Sequence, residues 1–138
     1  ALIDDGAERK LSARAIDDPR DLPRLAAQAG ASVVAIDEAH FFGNALVAPV
    51  RALLADHARP VRIILAGVER DHTGAPFDPF PTLLVEADEV VKLHSLCARC
   101  GQPAIHSQRM IDAPPSARIV VGGAEAYQPR CRACFGQP

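Results

Sequence analysis

Apolar positions along this chain come in short blocks set between polar stretches. Residues 1–20 are mostly polar and follow no period, and Asp17-Asp18-Pro19 reads as a turn. Asp21 to Ala29 predicts a short helix, with Asp18 or Asp21 at its N-cap and Gly30 as its stop. Ser32-Val33-Val34-Ala35-Ile36 is a continuous apolar run that ends in Asp37-Glu38. Such a run suits a strand buried on both faces, as in a parallel sheet. From Asn44 to His57, Leu46, Val50, Leu53 and Leu54 recur at helical spacing, and Pro49 sits near the first turn, where proline costs little. Arg59-Pro60 closes that element, and Val61 to Ala66 forms a second β-branched run. Strand, helix, strand with short links is a βαβ unit and predicts an α/β core.

The segment Gly67 to Pro81 breaks the pattern, with Gly74, Pro76, Pro79 and Pro81 around Phe77 and Phe80. A loop of this length in a compact domain is usually functional, so it is expected to lie ordered over a site. Thr82 to Asp88 reads as a short helix and Val90 to Leu96 as a strand. Beyond them come short strands, glycines and paired cysteines. A boundary near Leu93 to Leu96 thus separates a partial α/β core, residues 1–95, from a small C-terminal unit, residues 96–138.

Composition narrows the functional classes. At 138 residues and 49% apolar, the chain can bury one core. A net charge of −2 argues against sequence-independent nucleic-acid binding, which needs a basic surface. No apolar run reaches the roughly 18–20 residues that span a bilayer. The start, Ala1-Leu2-Ile3-Asp4-Asp5, has no signal-peptide pattern, so a soluble cytoplasmic protein without membrane or nucleic-acid partners is expected. The absent methionine suggests a processed or fragmentary product.

Cys97-Ala98-Arg99-Cys100 and Cys131-Arg132-Ala133-Cys134 use every cysteine, with 30 residues between the pairs. Each C-x-x-C, closely followed by Gly101 or Gly136, makes a knuckle that aims two sulfurs at one point. Four thiolates close a tetrahedral sphere and leave no position for water, so a zinc ion held there is structural. A redox C-x-x-C needs only one pair, and disulfides are not expected without a secretion signal. Iron could use the same ligands. Arg99, Arg130 and Arg132 around the cluster read as a solvated face.

Asp37-Glu38 at the end of a buried strand matches the Walker B pattern, in which the aspartate helps hold the magnesium of a bound nucleotide. An adjacent glutamate can take a proton from an attacking hydroxyl. The same acids could also serve as caps of a turn. The phosphate-cradling motif G-x-x-x-x-G-K-[ST] is absent, and the only lysines, Lys10 and Lys92, lie in no such context.

At this point the residues resemble a known family. Ala35-Ile36-Asp37-Glu38-Ala39-His40-Phe41-Phe42 is similar to the "IDEAQFF" segment of type II, zinc-containing thymidine kinases. Gly67-Val68-Glu69-Arg70-Asp71-His72-Thr73-Gly74-Ala75-Pro76-Phe77 resembles their "GLDRDFRGEPF" loop. Ala87 to Leu93 resembles "ADEVTKL", and Val121 to Tyr127 resembles "VGGAESY". The likeness runs from about Ser32 to Phe135 and implies a P-loop NTPase-like parallel sheet, truncated before its P-loop, with a C-terminal zinc-ribbon and lasso unit.

The resemblance implies roles residue by residue. Glu38 is the expected general base for the thymidine 5′-hydroxyl, and Asp37 the magnesium-linked acid, with Ala39 and His40 completing the Mg-ATP contact. Phe41, Val68, His72, Phe77 and Ser107 are expected around the nucleoside. Arg118, Ile119, Val120, Val121, Gly122 and Tyr127 map to the lasso that closes over the base. Cys97, Cys100, Cys131 and Cys134 are the zinc ligands pinning its ends. This chain departs from the family with His40 for glutamine, Val68 for leucine, Glu69 for aspartate, His72 for phenylalanine and Ser107 for threonine. For His57, His94 and His106 a solvated or hydrogen-bonded side chain is expected. The implied activity is phosphorylation of thymidine by ATP in a homotetramer of nucleoside salvage for DNA synthesis. The alternatives are a degenerate, non-catalytic relative that binds nucleosides or partners, and a zinc-ribbon binding module.

Overall fold

The computed structural model describes residues 2–4, 10–112, 114, 119–120, 122–123 and 125–137. Its centre is the βαβ unit. Strands β3 (Val33–Ile36) and β4 (Arg62–Leu65) pair in parallel, Val33 opposite Arg62 and Ile36 opposite Leu65, and helix α2 (Val47–Ala55) lies between them in the chain. Helix α1 (Leu22–Ala29) precedes β3 and stops at Gly30, whose left-handed backbone (φ 57°, ψ 34°) turns the chain toward the strand. Asp18 caps not α1 but the 3-10 turn Pro19–Asp21 before it, accepting from the Arg20 amide.

One face of the strand pair is covered. Ile36 joins Leu22, Ala39, Leu46, Val50, Leu53, Phe80 and Leu83 in a buried cluster, with Val34, Ile63 and Leu65 packed against it. The other face carries Val33, 51% exposed, and Ile64, 47% exposed. The expected burial of both faces is therefore not met among the described residues, because the cluster lies on one side of the pair.

Helix α3 (Phe80–Glu86) begins two residues earlier than its pattern predicts. Pro81 fits its first turn, where an amide is not needed, and the Thr82 and Leu83 amides donate back to the Pro79 carbonyl. An Arg51–Glu86 ion pair ties α2 to α3.

Two further expectations are corrected. The start is not wholly irregular, since β1 (Leu2–Asp4) pairs antiparallel with β2 (Lys10–Ser12). Nor is Val90 to Leu96 a strand: only Ser95–Leu96, β5, pairs, and it pairs with β6 (Pro103–Ala104). Residues 90–94 run over the surface with Val91 71% and Leu93 87% exposed. β7 (His106–Arg109) pairs antiparallel with β8 (Tyr127–Arg130). A second buried cluster holds Cys97, Ala104 and Cys131, apart from the first.

Candidate active site and metal centre

The acids sit where β3 ends. The Ala66 amide donates to the Ile36 carbonyl and the Ala39 amide to the Ala66 carbonyl, both at 2.9 Å, so the chain beyond β3 stays tied to the end of β4. Between those ties Asp37 and Glu38 face solvent. Glu38 has left-handed backbone (φ 51°, ψ 39°), among the described residues the one positive φ outside glycine. That conformation costs a side-chain-bearing residue about 1–2 kcal/mol. The Asp37 carboxylate accepts from the Glu38 amide at 2.9 Å and offsets part of this cost. The turn continues as 3-10 helix over Ala39–Leu46, broken at Gly43, an element not legible in the sequence pattern.

His40 points inward. It is buried, 4.3 Å from the Phe41 ring and 5.2 Å from the Phe77 ring between centroids. Its Nδ1 lies 3.4 Å from Glu38 Oε2 and 3.5 Å from the Val68 amide nitrogen. Burial lowers its proton affinity below the ordinary histidine range, while the Glu38 and Asp37 carboxylates oppose that shift. Gly67 makes the packing possible, since a Cβ there would come within 3.0 Å of His40 Nδ1 and of the Phe80 ring.

The loop after β4 is organised by Asp71, a residue the sequence reading did not single out. Buried Asp71 accepts from the Thr73 and Ala75 amides at 2.9 and 3.1 Å. The Asp-x-Thr-Gly spelling of an Asx turn was its available signal. At the loop base the Phe77 amide donates to the Glu69 carbonyl. Burial pushes the Glu69 carboxyl up, but Lys92 at 3.2 Å and Arg70 at 3.0 Å more than offset this and hold it below its usual range. The loop tip reaches the C-terminal unit: a Cβ on Gly74 would touch the Phe135 ring at 3.5 Å. That ring stacks on His106 at 4.2 Å and 17°. His106 is half-buried, and its Nδ1 is buried without a partner among the described residues.

Glu38, His40, Phe41, Val68 and Phe77 therefore come together where the two strands end. Phe41 and Val68 are exposed, at 52% and 44%, whereas Phe77 is buried as a loop anchor. Ala39 is fully buried and offers its backbone to Ala66, so it presents no side chain to a ligand. His72 is half-buried with Nδ1 buried and unpartnered among the described residues.

A second group lies on the C-terminal unit. Ser107 is exposed on β7 opposite Pro129. The Tyr127 hydroxyl donates to the Val120 carbonyl at 2.8 Å and accepts from the Val120 amide at 3.3 Å, closing the loop on itself. Gly122 lies so near Ala126 that a Cβ there would meet the alanine Cβ at 2.5 Å. Ile119 is 49% exposed beside Val120. Arg118 and Val121 lie outside the described residues.

The four cysteine sulfurs all lie within 4.8 Å of one another, and Cys100 and Cys131 are in S–H···S contact at 3.6 Å with no disulfide between them. A tetrahedral ion with bonds of about 2.3 Å needs sulfurs roughly 3.8 Å apart, so this set fits zinc. Gly101 and Gly136, at φ 72° and 75°, turn each knuckle back after its cysteine pair. Backbone amides, that of Cys131 above all, pull the Cys97 thiol down to about 6, while burial and neighbouring thiols push Cys134 up to about 12. Thiolates this close repel, so all four ionise only around a cation. Arg130 is buried with Nε unpartnered among the described residues and Nη1 on Gln128, and does not join a solvated arginine face.

A parallel strand pair ending in exposed acids, joined by an ordered loop to a four-thiol cluster, defines an α/β protein with a module that could bind zinc. The sequence profile of the family described as thymidine kinase matches residues 5–135, and the chain belongs to that family. It is similar to the thymidine kinase of Rhodothermus sp. (strain ITI 518), 41% identical over 131 residues, which cover 95% of this chain. The chain spans 58% of that relative's length. The cysteine cluster fits the zinc-containing type. Family membership does not favour a stand-alone zinc-ribbon module. Among the described residues no helix is long and apolar enough to cross a membrane.

Proposed function

We propose that the protein to which this chain belongs transfers the γ-phosphate of ATP to the 5′-hydroxyl of thymidine. The observation that supports this reading is the pair of exposed acids at the end of β3, one in left-handed backbone, with exposed Phe41 and Val68 both beside His40, the neighbour of Glu38. Glu38 is the base that accepts the hydroxyl proton, and its exposed carboxylate on a fixed turn suits that task. Asp37 would hold magnesium, which when bound supplies neutralisation of the phosphate charge. Phe41, Val68 and His72 form the nucleoside wall, and Ser107 lies toward the base. The segment 118–122, latched by Tyr127, closes over that base, where backbone groups can read its edge in a dry pocket.

Zinc at Cys97, Cys100, Cys131 and Cys134 is structural in this reading, because four thiolates leave no open position. The chain divides near residue 96 into a nucleotide-binding part and a zinc-and-lasso part. The reading carries with it ATP and thymidine as substrates, a homotetramer and a cytoplasmic location. Assaying the full-length protein for thymidine phosphorylation tests it, with Glu38→Gln expected to lower kcat by roughly 10²–10⁴-fold. Full activity in that variant defeats the assignment of the base.

A further inference from the structure

Gly122 ends the segment expected to close over the base, and Gly123 follows it. Two adjacent glycines form the backbone with the most freedom to lose when a ligand orders it. Here that freedom is already restrained. The Glu125 side chain folds back so that its carboxylate accepts from the Gly123 amide at 2.8 Å. The Gly123 carbonyl accepts in turn from the Ala126 and Tyr127 amides, both at 3.0 Å. Gly123 is thus tied through both its N–H and its C=O, much as a first-turn glutamate reaches back to a helix N-cap. The fold-back also accounts for the glycines. A Cβ on Gly123 would stand 3.1 Å from Glu125 Oε2, and one on Gly122 would stand 3.3 Å from Glu125 Oε1 and 2.5 Å from the Ala126 Cβ. Its own amide and the Gly123 amide hold the Glu125 carboxyl below the usual carboxylate range, so it is ionised at neutral pH. Although exposed, it forms no ion pair among the described residues. On the other side of Gly122, the Tyr127 hydroxyl takes both backbone groups of Val120.

We propose that Glu125 is a positioning residue whose carboxylate, through the Gly123 N–H, presets the Gly122-Gly123 backbone in the shape that receives the nucleoside. This rests on the segment closing over the base. A loop ordered before its ligand arrives spares the binding step the cost of ordering it. Glu125 acts on the ligand only through the loop, so its loss weakens nucleoside binding and leaves the phosphoryl-transfer step as it was.

The test uses the full-length protein. In Glu125→Ala the Gly123 amide is expected to exchange about three- to tenfold faster, the effect of one charge-assisted hydrogen bond discounted for exposure to water. The Ala98 amide, bonded to the Pro129 carbonyl, should change less than about twofold, which shows that the C-terminal unit stays folded. In kinetics, the thymidine KM is expected to rise by the same roughly three- to tenfold factor, with kcat within about twofold. Glu125→Gln keeps a side-chain oxygen that can accept from the Gly123 amide, and should return both readings to within about twofold of the wild type. An unchanged Gly123 rate in Glu125→Ala overturns the proposal, as does an unchanged KM or a glutamine variant as impaired as alanine. A wild-type protein that does not phosphorylate thymidine instead removes the kinase reading, a result the Gly123 exchange rate does not share.

Discussion

Removing one oxygen atom tests whether the loop around residue 120 is latched as its geometry implies. In Tyr127→Phe the half-buried ring stays, and both hydrogen bonds to Val120, at 2.8 and 3.3 Å, are lost. Each such bond contributes about 1 kcal/mol net. The second is long, and Val120 is only half-buried, so water recovers part of the loss. The expected cost is about 1–2 kcal/mol, a factor of about 5–30 in the population of the unlatched loop. Amide hydrogen exchange reads this directly. Val120 should exchange about 5–30-fold faster in the variant, while the Met110 and Ala98 amides, bonded to the Ala126 and Pro129 carbonyls, change less than about twofold. An unchanged Val120 rate would show that the phenol does not latch the loop. Uniform acceleration of all three amides would mean that the hydroxyl supports the whole unit. If the segment closes over thymidine as proposed, nucleoside affinity weakens by the same factor.

Three other outcomes are expected. Metal analysis should find one zinc per chain, lost in Cys97→Ser, and a chelator should collapse the NMR signals of β5–β8 while those of α1 persist; persistence of β5–β8 would deny the metal its structural role. Gly67→Ala places a Cβ 3.0 Å from His40 Nδ1 and the Phe80 ring, so denaturant unfolding should show a loss of about 1–3 kcal/mol. Because Glu69 ionises more readily when folded, the unfolded chain binds more protons below the usual carboxylate range. Its stabilisation is thus present at neutral pH and lost as pH falls through the depressed value, and Lys92→Met should flatten the acid limb of a stability–pH curve.

Features with local causes were readable in the sequence. The apolar runs became β3 and β4, Gly30 stopped α1, and the paired C-x-x-C gathered four sulfurs. Val90 to Leu96 misled because an exposed apolar run has the same spelling as a strand, and pairing depends on a partner far away in sequence. The irregular start hid β1 and β2 for the same reason. Within the site, Asp37 and Glu38 announced themselves at the end of a strand. The left-handed turn at Glu38 did not, since glutamate carries no compositional sign of that conformation. The burial of His40 and the stacking of His106 on Phe135 depend on segments 28–37 and 29 residues away, beyond any local pattern.

The aromatic platform beneath Gly74 carries a thermodynamic obligation. Phe135 is covalently next to Cys134, so its placement follows the cluster, and the turn resting on it leads back through Phe77 to His40. If a nucleoside rests against the loop as proposed, a metal at the sulfurs that favours the same placement must favour that nucleoside, and the reverse, by equal factors in both directions. Substrate would then shield the metal from a chelator, and a metal-starved protein would surrender substrate affinity while its βαβ core still stood.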